Sequence, residues 1–446
     1  MIFGSIERDE TSKAVTAWPY RLGMCAYKMG ISAFFAAGGL SRLKKKFEVD
    51  TEERMGFFGP DVPKNALWVY AVSVGEVQSS LPLLEAAGDR PDLPRVLSTV
   101  TETGRSLAEQ LAPRSTTFIY NPWDAPNFVK RALDALAPRA YVAMETERWP
   151  VMLAELYSRG VPAFLVNGRL SDNSIKKLRG QKTFWRGVLC CFSRLMVRFE
   201  SDKKNFLSLG VPEGKIVVTG DCKVDALLAR KADVELSRLR AVWPDLRRGG
   251  GPLFIAGSIH AGEDEIVLSA FDKVRRLHPD ARLILTPRYP ERALSVVATA
   301  LPHGRVALLT ELEAAANKRS VEDWDVVVVN RIGTLFDLYA CVSDGGIGAA
   351  FVGGSLIPNG GQNPMEPALF GIQVTHGPDM GDFPDTERMD ASGAALEVRD
   401  SAELADAWLD VINSDRQDRI RQACQNYFAS MGGAGTRSWN IIKEAL

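Results

Sequence analysis

Short apolar runs alternate with amphipathic, helix-like stretches along most of this chain, and this alternation strongly constrains the fold. The first globular half begins at Ala66, and the run LWVYAVSVGEV that follows predicts a strand ending at Gly75 and leading into a helix from Glu76 to Ala87. Apolar strands joined by amphipathic helices form parallel sheets with helices on both faces. The pattern therefore predicts an α/β fold, with further strands at 95–100, 117–120, 140–144, 163–167, 195–197 and 216–219.

The alternation stops and later restarts, which divides the chain. Residues 226–251 are charged, helical in pattern and closed by three glycines, as is typical of a domain connector. Strands are predicted beyond it at 253–257, 281–286, 305–309, 325–329 and 349–352, and the last helices at 402–414 and 418–431. Because 446 residues exceed one ordinary core, we predict two doubly wound domains with a ligand cleft between them. The predicted boundaries are an N-terminal segment 1–48, a domain 49–225, a linker 226–251 and a domain 252–446.

Composition narrows the classes of function. Apolar residues make up 46% and charged residues 24%, an ordinary globular balance, and the formal net charge of −1 recruits neither nucleic acid nor anionic lipid globally. The six cysteines show no CxxC spacing, which suits free thiols in a reducing cytosol. Four widely spread histidines offer no metal-binding pair, so a histidine-built zinc or iron site is not expected.

The N-terminal segment suggests contact with a membrane. Aromatic and aliphatic residues dominate from Trp18 to Gly39, but Arg21 and Lys28 interrupt them, so a spanning helix is not expected. A basic run (RLKKK) follows at 42–46, formed by Arg42, Lys44, Lys45 and Lys46. This pattern favours a helix lying in the membrane plane with its lysines on lipid phosphates. A helix packed on the protein's own surface is the open alternative. No signal peptide is predicted.

A glycine-rich segment, Phe351–Gly371 (FVGGSLIPNGGQNPMEPALFG), follows the last predicted strand. It contains a loop with four glycines and two prolines, and a helix is predicted to open near Pro364 with Glu366 in its first turn. Glycines let backbone N–H groups approach a ligand closely, and a helix N-terminus offers unpaired donors. The segment predicts a nucleotide-sugar site in which Glu366 binds ribose, although the glycines alone would suit any strand-to-helix connection.

Two other predicted strand ends of the second half carry groups suited to phosphate. Ser258 follows one strand, and the sequence Gly262–Glu265 (GEDE) opens the next helix, whose free N–H groups could bind phosphate. Arg288 follows the neighbouring strand, and a guanidinium matches phosphate by bidentate hydrogen bonding. Lys223, near the end of the first domain, could add positive charge facing the donor.

Carboxylates follow two predicted strands of the first half. Glu76 could act as general base toward an acceptor hydroxyl, but from its position alone a helix-capping role is favoured. Glu145 and Glu147 lie in METERWP, after another strand. Carboxylates from two strand ends of one sheet can converge on one site, where one takes the proton and the other tunes its pKa.

Seven segments occur in a specific order: SVGEV, METERWP, VNGRLSDNS, GDCKVD, GSIHAGEDE, PRYPER and GGSLIPNGGQNPMEPALFG. In this order the chain resembles the Kdo transferases, from about residue 66 to 377. These enzymes attach 3-deoxy-D-manno-octulosonic acid (Kdo) from CMP-Kdo to lipid A precursors and have a GT-B fold of two Rossmann-like domains. The N-terminal apolar helix with its basic run also suits the family.

The resemblance implies roles for individual residues. Glu76 matches the base that deprotonates the acceptor, and Glu145 or Glu147, with Lys223, matches positions that support the transition state. The positions expected to bind CMP are Pro287, Arg288, Asn363, Pro364, Met365 and Glu366, with Ile332, Gly333 and Thr334 where the family carries a Met-Gly-Glu turn. The expected reaction inverts the anomeric carbon and needs no metal or cofactor. The expected partners are a CMP-activated sugar, a lipid acceptor and the cytoplasmic face of the bacterial inner membrane, without nucleic acid.

The chain also departs from the family's usual sequence motifs at or beside these positions. Tyr289 and Gln362 stand where histidine is usual, Thr334 replaces a glutamate and Arg148 replaces a leucine. The segments around Gly168 and around 221–222 differ as well. Such departures suit altered donor or acceptor preference. The alternatives are another GT-B sugar-nucleotide enzyme, such as a UDP-sugar transferase or 2-epimerase, and an inactive nucleotide-sugar-binding homologue.

Overall fold

A computed structural model of the chain describes residues 10–46, 51–243, 246, 250–316, 324–383, 385–412 and 414–446. The chain forms two compact units. The first contains Met1–Ala226 and Met431–Leu446, and the second contains Leu227–Ser430. Each has its own parallel sheet, so the α/β fold with two parallel-sheet domains is confirmed.

The first unit is built on a seven-stranded parallel sheet in the order β3-β2-β1-β4-β5-β6-β7. Its strands are β1 Leu67–Tyr70, β2 Arg95–Thr99, β3 Thr116–Tyr120, β4 Ala140–Met144, β5 Ala163–Gly168, β6 Arg194–Val197 and β7 Ile216–Val218. Helices cover both faces, so β4 (AYVAM) is buried along its whole length. This explains why these strands are continuous apolar runs rather than alternating ones.

The helices of the first unit follow its strands, as the alternation predicts. They are α1 Trp18–Phe34, α2 Leu40–Lys46, α3 Thr51–Arg54, α4 Val74–Ala86, α5 Glu102–Leu111, α6 Pro126–Leu136, α7 Pro150–Ser158, α8 Asp172–Arg179, α9 Lys182–Cys190 and α10 Glu200–Ser208. Helix α11 (Cys222–Ala232) begins in this unit and ends in the second. Among the described helices, none is both long and apolar enough to cross a membrane.

Helix α1 packs against α9 through one of its faces. Tyr20 and Met24 are buried there, and a side chain at Gly187 of α9 would collide with the Tyr20 ring. The helix then continues through a π-helical turn, where Gly38 has a positive φ of 82°, into α2. The alternative of a helix packed on the protein's own surface therefore holds for this face.

The C-terminal helix α21 (Ala434–Lys443) packs on α4 of the first unit. Trp439 is buried against the first core, and its indole N–H donates to Asp89 at 2.8 Å. The sequence-based boundaries placed these residues in the second domain, because the order of residues does not show a chain returning to its first core.

The second unit contains a parallel sheet in the order β10-β11-β9-β8-β12-β13-β14. Its strands are β8 Leu253–Ile259, β9 Arg282–Pro287, β10 Val306–Leu308, β11 Val326–Val328, β12 Gly348–Val352, β13 Gln373–His376 and β14 Ala395–Glu397. The last two were not predicted from the sequence. Strand β13 carries polar side chains, although all four of its residues are buried, and β14 is a three-residue strand with two exposed residues.

The helices of this unit are α12 Leu236–Val242, α13 Glu263–Leu277, α14 Ala293–Ala300, α15 Leu309–Ala316, α16 Leu335–Ser343, α17 Met365–Leu369, α18 Thr386–Ser392, α19 Ser401–Val411 and α20 Ser414–Met431. Helix α12 lies within the predicted linker 226–251. Its Leu239, with the adjacent Trp243, is buried in the second core, so part of that segment packs as core rather than as a free connector.

Candidate active site

The first unit brings Glu76 and Glu145 to one edge of its sheet. Glu145 directly follows β4, and Glu76 lies in the first turn of α4, just after β1. Strands β1 and β4 pair in parallel, with Tyr70 beside Ala143. The segments that follow these two strands therefore leave the sheet side by side. Carboxyl ends of parallel strands are where ligands bind in doubly wound folds.

Glu145 is a buried carboxylate held by two cations. Its Oε1 lies 2.9 Å from Lys223 Nζ, its Oε2 lies 3.0 Å from Arg169 Nε, and Ser79 Oγ donates to Oε1 at 3.4 Å. Burial by itself raises the pKa of Glu145, but the charges of Lys223 and Arg169 outweigh burial, and the pKa is lowered. Glu145 is therefore an ionised anchor and a poor proton acceptor.

Glu76 is in a different state although it lies close by. Its Oε2 accepts a hydrogen bond from the Val72 N–H at 2.7 Å, so it does cap the start of α4. Burial raises the pKa of Glu76 to about 8, the Val72 bond opposes the shift, and the charges of Glu147 and Glu145 add to it. A carboxylate whose pKa is raised in this way is a stronger base once ionised, as general-base catalysis requires. The capping and catalytic interpretations are therefore compatible.

Glu147 takes a third environment, beside a cavity of about 240 Å³. The Trp149 indole N–H donates to its Oε2 at 2.6 Å, and burial is the main cause of its raised pKa. The cavity is lined by Tyr27, Thr146, Glu147, Arg148, Trp149, Pro150 and Trp185. The two glutamates of METERWP thus differ: Glu145 forms ion pairs with two cations, and Glu147 lines the cavity.

Lys223 reaches Glu145 because α11 begins at the same edge of the sheet. Asn167, at the end of β5, has a positive φ of 56°, and its side-chain oxygen accepts the Cys222 N–H at 3.0 Å. This bond positions the start of α11, so Lys223 faces a carboxylate of its own unit. From its position in the sequence, Lys223 was expected to add positive charge facing the donor, and its pairing with Glu145 was not predicted.

Sequence reasoning did not single out Arg169 as a site residue. It directly follows β5, the strand beside β4, within the segment VNGRLSDNS. Like Glu145, Arg169 is a charged residue directly after a buried strand. This pattern indicates a cation at this edge.

In the second unit, Ser258 and Arg288 come from paired strands. Ser258 has a positive φ of 56° near the end of β8, and Pro287 is the buried last residue of β9. The Arg288 N–H donates to the Ile259 carbonyl at 3.0 Å, which joins the two strand ends. The Arg288 side chain is exposed, with its guanidinium 5.8 Å from the centre of the Tyr289 ring. An exposed guanidinium at this edge can bind a phosphate.

A buried carboxylate organises the glycine-rich loop that follows β12. Glu263, fully buried in the first turn of α13, accepts hydrogen bonds from the N–H groups of His260, Gly354, Ser355 and Leu356, at 2.7–3.0 Å. At the start of α13, the Gly262 N–H donates to Asp264, and the Glu263 N–H donates to the His260 carbonyl. Several of the backbone donors that the sequence had suggested for phosphate are thus used within the protein. Sequence reasoning missed the role of Glu263.

The turn Asn363–Glu366 is shaped by local hydrogen bonding. The Asn363 side-chain oxygen accepts the Met365 N–H at 3.0 Å, and α17 follows Pro364. Glu366 lies 3.6 Å from Arg230 Nη1; burial raises the pKa of Glu366, and the charge of Arg230 opposes the shift. Arg230 also lies 3.8 Å above the Phe336 ring. The sequence analysis did not identify Arg230.

The turn 332–334 joins β11 to α16. Ile332 is 84% exposed, and Gly333 has a positive φ of 93°. Thr334 is buried, and its hydroxyl has no hydrogen-bond partner in the described part of the chain.

Three comparisons with known proteins show what the chain is similar to. Residues 50–226 match a family model described as "3-Deoxy-D-manno-octulosonic-acid transferase (kdotransferase)". The 3-deoxy-D-manno-octulosonic acid transferase of Haemophilus influenzae is 30% identical over 416 residues, covering 92% of this chain and 94% of that protein. The enzyme of the same name from Bordetella pertussis is 28% identical, with 90% and 93% covered. A UDP-GlcNAc 2-epimerase structure from Neisseria meningitidis has a TM-score of 0.56 at 12% identity, covering 85% of this chain and 99% of that one, which shows a shared fold.

We predict that Glu76 makes stability depend on pH. In the folded protein its pKa is about 8, whereas an unfolded chain releases this proton near 4.5. Between these values the folded state binds more protons, so the contribution is complete below about pH 4.5 and is lost as pH rises through 8. Glu76→Gln should remove that loss. The difference in urea midpoint between variant and parent should therefore grow in the variant's favour from pH 5 to pH 8, measured by circular dichroism.

Glu102→Gln is the matched control for this prediction. Glu102 also lies in the first turn of a helix, but its side chain is exposed. Its midpoint should follow the parent's at every pH. If the urea midpoint of Glu76→Gln also parallels that of the parent from pH 5 to pH 8, the prediction of a raised pKa for Glu76 is wrong.

Proposed function

The chain belongs to the 3-deoxy-D-manno-octulosonic acid transferase family, and from this membership we propose that it transfers Kdo, or a related ulosonic acid, from CMP-Kdo to a lipid A precursor. Family membership makes it a glycosyltransferase that uses CMP-Kdo. The observation that best supports a working transferase is the state of Glu76: a half-buried carboxyl with a raised pKa, near Glu145, whose pKa is lowered by Lys223 and Arg169. The two carboxyls carry opposite pKa shifts, which is how acid–base sites divide their tasks.

We assign the first unit to the acceptor. An acceptor hydroxyl within hydrogen-bond reach of Glu76 gives its proton to the ionised carboxylate, and its oxygen attacks the anomeric carbon of Kdo. The bond from that carbon to the CMP phosphate oxygen breaks, and CMP leaves with the bonding electron pair. Direct displacement of this kind inverts the anomeric carbon. Lys223 and Arg169 keep Glu145 ionised, and the negative charge of Glu145 helps to keep the pKa of Glu76 high.

We assign the second unit to CMP. Arg288 is exposed at the carboxyl end of β9, where its guanidinium can bind the phosphate and offset the charge that develops as CMP leaves. This interaction supports a reaction without a metal ion. Glu366, whose carboxylate is near Arg230, would accept hydrogen bonds from the ribose hydroxyls. Pro287 and the turn Asn363–Glu366 shape the rest of this site.

We also propose that α1 binds the membrane surface that holds the lipid acceptor, at the cytoplasmic face of the inner membrane. While Tyr20 and Met24 pack inward, Trp18, Leu22 and Met29 are 74%, 62% and 62% exposed. Exposed apolar and aromatic side chains on one helix are typical of in-plane membrane helices. Arg42 in α2 is exposed nearby in sequence, while the side chains of residues 44–46, which complete the basic run, lie outside the described part of the structure.

We predict that Glu76→Gln abolishes transfer while CMP affinity stays unchanged. The substitution keeps the shape of the side chain but removes the proton acceptor, and loss of a general base typically costs ~10²–10⁴ in rate. In the parent, the transfer rate should rise with pH to a midpoint of about 8, where Glu76 ionises. Initial rates with CMP-Kdo generated in situ and a lipid A precursor measure both effects. Glu102→Gln should transfer as the parent does. Activity of Glu76→Gln within about threefold of the parent would remove Glu76 from this role.

We predict that Arg288→Ala and Glu366→Ala each weaken CMP binding about ten- to a hundredfold. Each loses a hydrogen bond to a charged group, which typically costs ~1.5–3 kcal/mol. Isothermal titration calorimetry measures the affinity, and UDP in place of CMP tests the choice of base. Arg276→Ala, an exposed arginine of α13, is the matched control and should bind CMP as the parent does. Unchanged CMP affinity in both test variants would place the donor site elsewhere.

We predict that the triple substitution of Trp18, Leu22 and Met29 by serine releases the protein from vesicles containing anionic lipid. The affinity should fall at least tenfold, because each large apolar side chain contributes about 1.5–3 kcal/mol when fully buried. Co-sedimentation measures the bound fraction, and high salt should weaken the parent's binding because the basic run contributes.

The matched control replaces Leu277, Leu294 and Leu301 by serine. These side chains are similarly exposed in the second unit, at 66%, 72% and 60%. This control should bind vesicles as the parent does. If it loses binding to the same degree as the test variant, or if the test variant still sediments fully, α1 is not the membrane contact.

A further inference from the structure

The cavity beside Glu147 contains a cation that the reaction described above does not use. Arg148 lies in the loop between β4 and α7 and lines this space of about 240 Å³ together with the aromatic rings of Tyr27, Trp149 and Trp185. Whole small-molecule sites usually measure about 300–1,000 Å³. The cavity is therefore suited to one substituent of a substrate rather than to a whole one.

The guanidinium of Arg148 is incompletely paired. Its Nη1 is buried and has no hydrogen-bond partner among the described residues. The Trp185 ring lies 5.9 Å from the guanidinium carbon, at the outer limit of a cation–π contact. Burial lowers the pKa of Arg148, and the charge of Glu147 only partly opposes this. A half-buried cation with one buried N–H group that lacks an acceptor is costly, so an anion in the cavity would stabilise it.

The carboxylates of this region have other partners. Both oxygens of Asp124 accept backbone N–H groups at the start of α7, from Val151 at 3.0 Å and Met152 at 2.8 Å. Oε2 of Glu147 is bound by the Trp149 indole N–H at 2.6 Å, and the charge of Glu147 only partly offsets the effect of burial on Arg148. The buried face of Arg148 is thus left for a group from outside the protein.

We propose that Arg148 and the cavity that it lines bind a phosphate group of the lipid acceptor, next to the catalytic carboxyl. This inference rests on the proposed function, because it takes the first unit to be the acceptor unit. Glu147 connects the cavity to that chemistry, since its charge is one cause of the raised pKa of Glu76. A phosphate monoester offers several oxygens to a planar guanidinium, which can bind two of them at once.

The test compares two soluble acceptor analogues, a deacylated phosphorylated disaccharide and the same disaccharide without phosphate. Calorimetry measures their binding to the parent, Arg148→Leu and Arg148→Lys, and initial rates measure transfer to each. Arg148→Leu should weaken binding of the phosphorylated analogue and raise its KM about ten- to a hundredfold, with little effect on the unphosphorylated one. Arg148→Lys should recover part of the loss. CMP affinity should be unchanged, and Arg114→Leu, which removes an exposed arginine of the same unit, should behave as the parent.

Several results would overturn this assignment. Equal losses for both analogues would give Arg148 a structural role only, and no loss for either would exclude it from acceptor binding. Inorganic phosphate that binds the parent as tightly as the phosphorylated analogue would indicate a site for free phosphate. A higher KM for CMP-Kdo with unchanged acceptor KM would assign Arg148 to the carboxylate of the donor sugar. Binding of the phosphorylated analogue that depends on Arg148 in a protein without transfer would support the pocket while contradicting the proposed function.

Discussion

The ion pairs of Glu145 with Lys223 and Arg169 are the interaction on which the rest of the first unit's site depends. They join three segments at one edge of the sheet: the end of β4, the residue after β5 and the start of α11. Glu145 is buried although both cations are partly exposed, so removing a cation would leave its buried charge less well compensated and destabilise the fold. The same pairs keep Glu145 ionised, and its negative charge contributes to the raised pKa of Glu76. The candidate base therefore depends on an anchor that does not itself accept the proton.

A second buried carboxylate has the corresponding role in the second unit. Glu263 binds four backbone N–H groups, three of them in the glycine-rich loop, and so holds that loop in shape without a ligand. The glycines are consequently explained in part by close packing: a side chain at Gly353 would meet the backbone at Ser258 and Ile259. Under the proposed function, side chains such as the exposed Arg288 would then contribute to recognition of the donor phosphate.

The sequence predicted the strands of both sheets well where they are apolar, because burial on both faces leaves a continuous run that is easily recognised. It missed β13 and β14, whose polar or exposed residues resemble a loop. The predicted domain boundaries followed the order of residues along the chain. They therefore assigned α21 to the second domain, although its Trp439 packs in the core of the first unit. Among the site residues, most of those directly after buried strands were found, but Arg169 was not. Arg230, which lies within a helix, and Glu263, assigned only to a helix start, were not recognised either.

By itself the sequence determined the α/β class, the strand ends that carry charged side chains, and the ordered motifs that indicated the family. Those properties depend on local periodicity and on residues close together in the chain. Only the tertiary structure decided which charges pair: that Lys223 holds Glu145, that Glu263 occupies the loop N–H groups, and that Arg148 lacks a full set of acceptors in a cavity. The strength of a charge interaction depends on separation in space and on desolvation. Neither quantity can be read from distance along the chain, so the roles of identical residues such as Glu145 and Glu147 diverge only when the chain is folded.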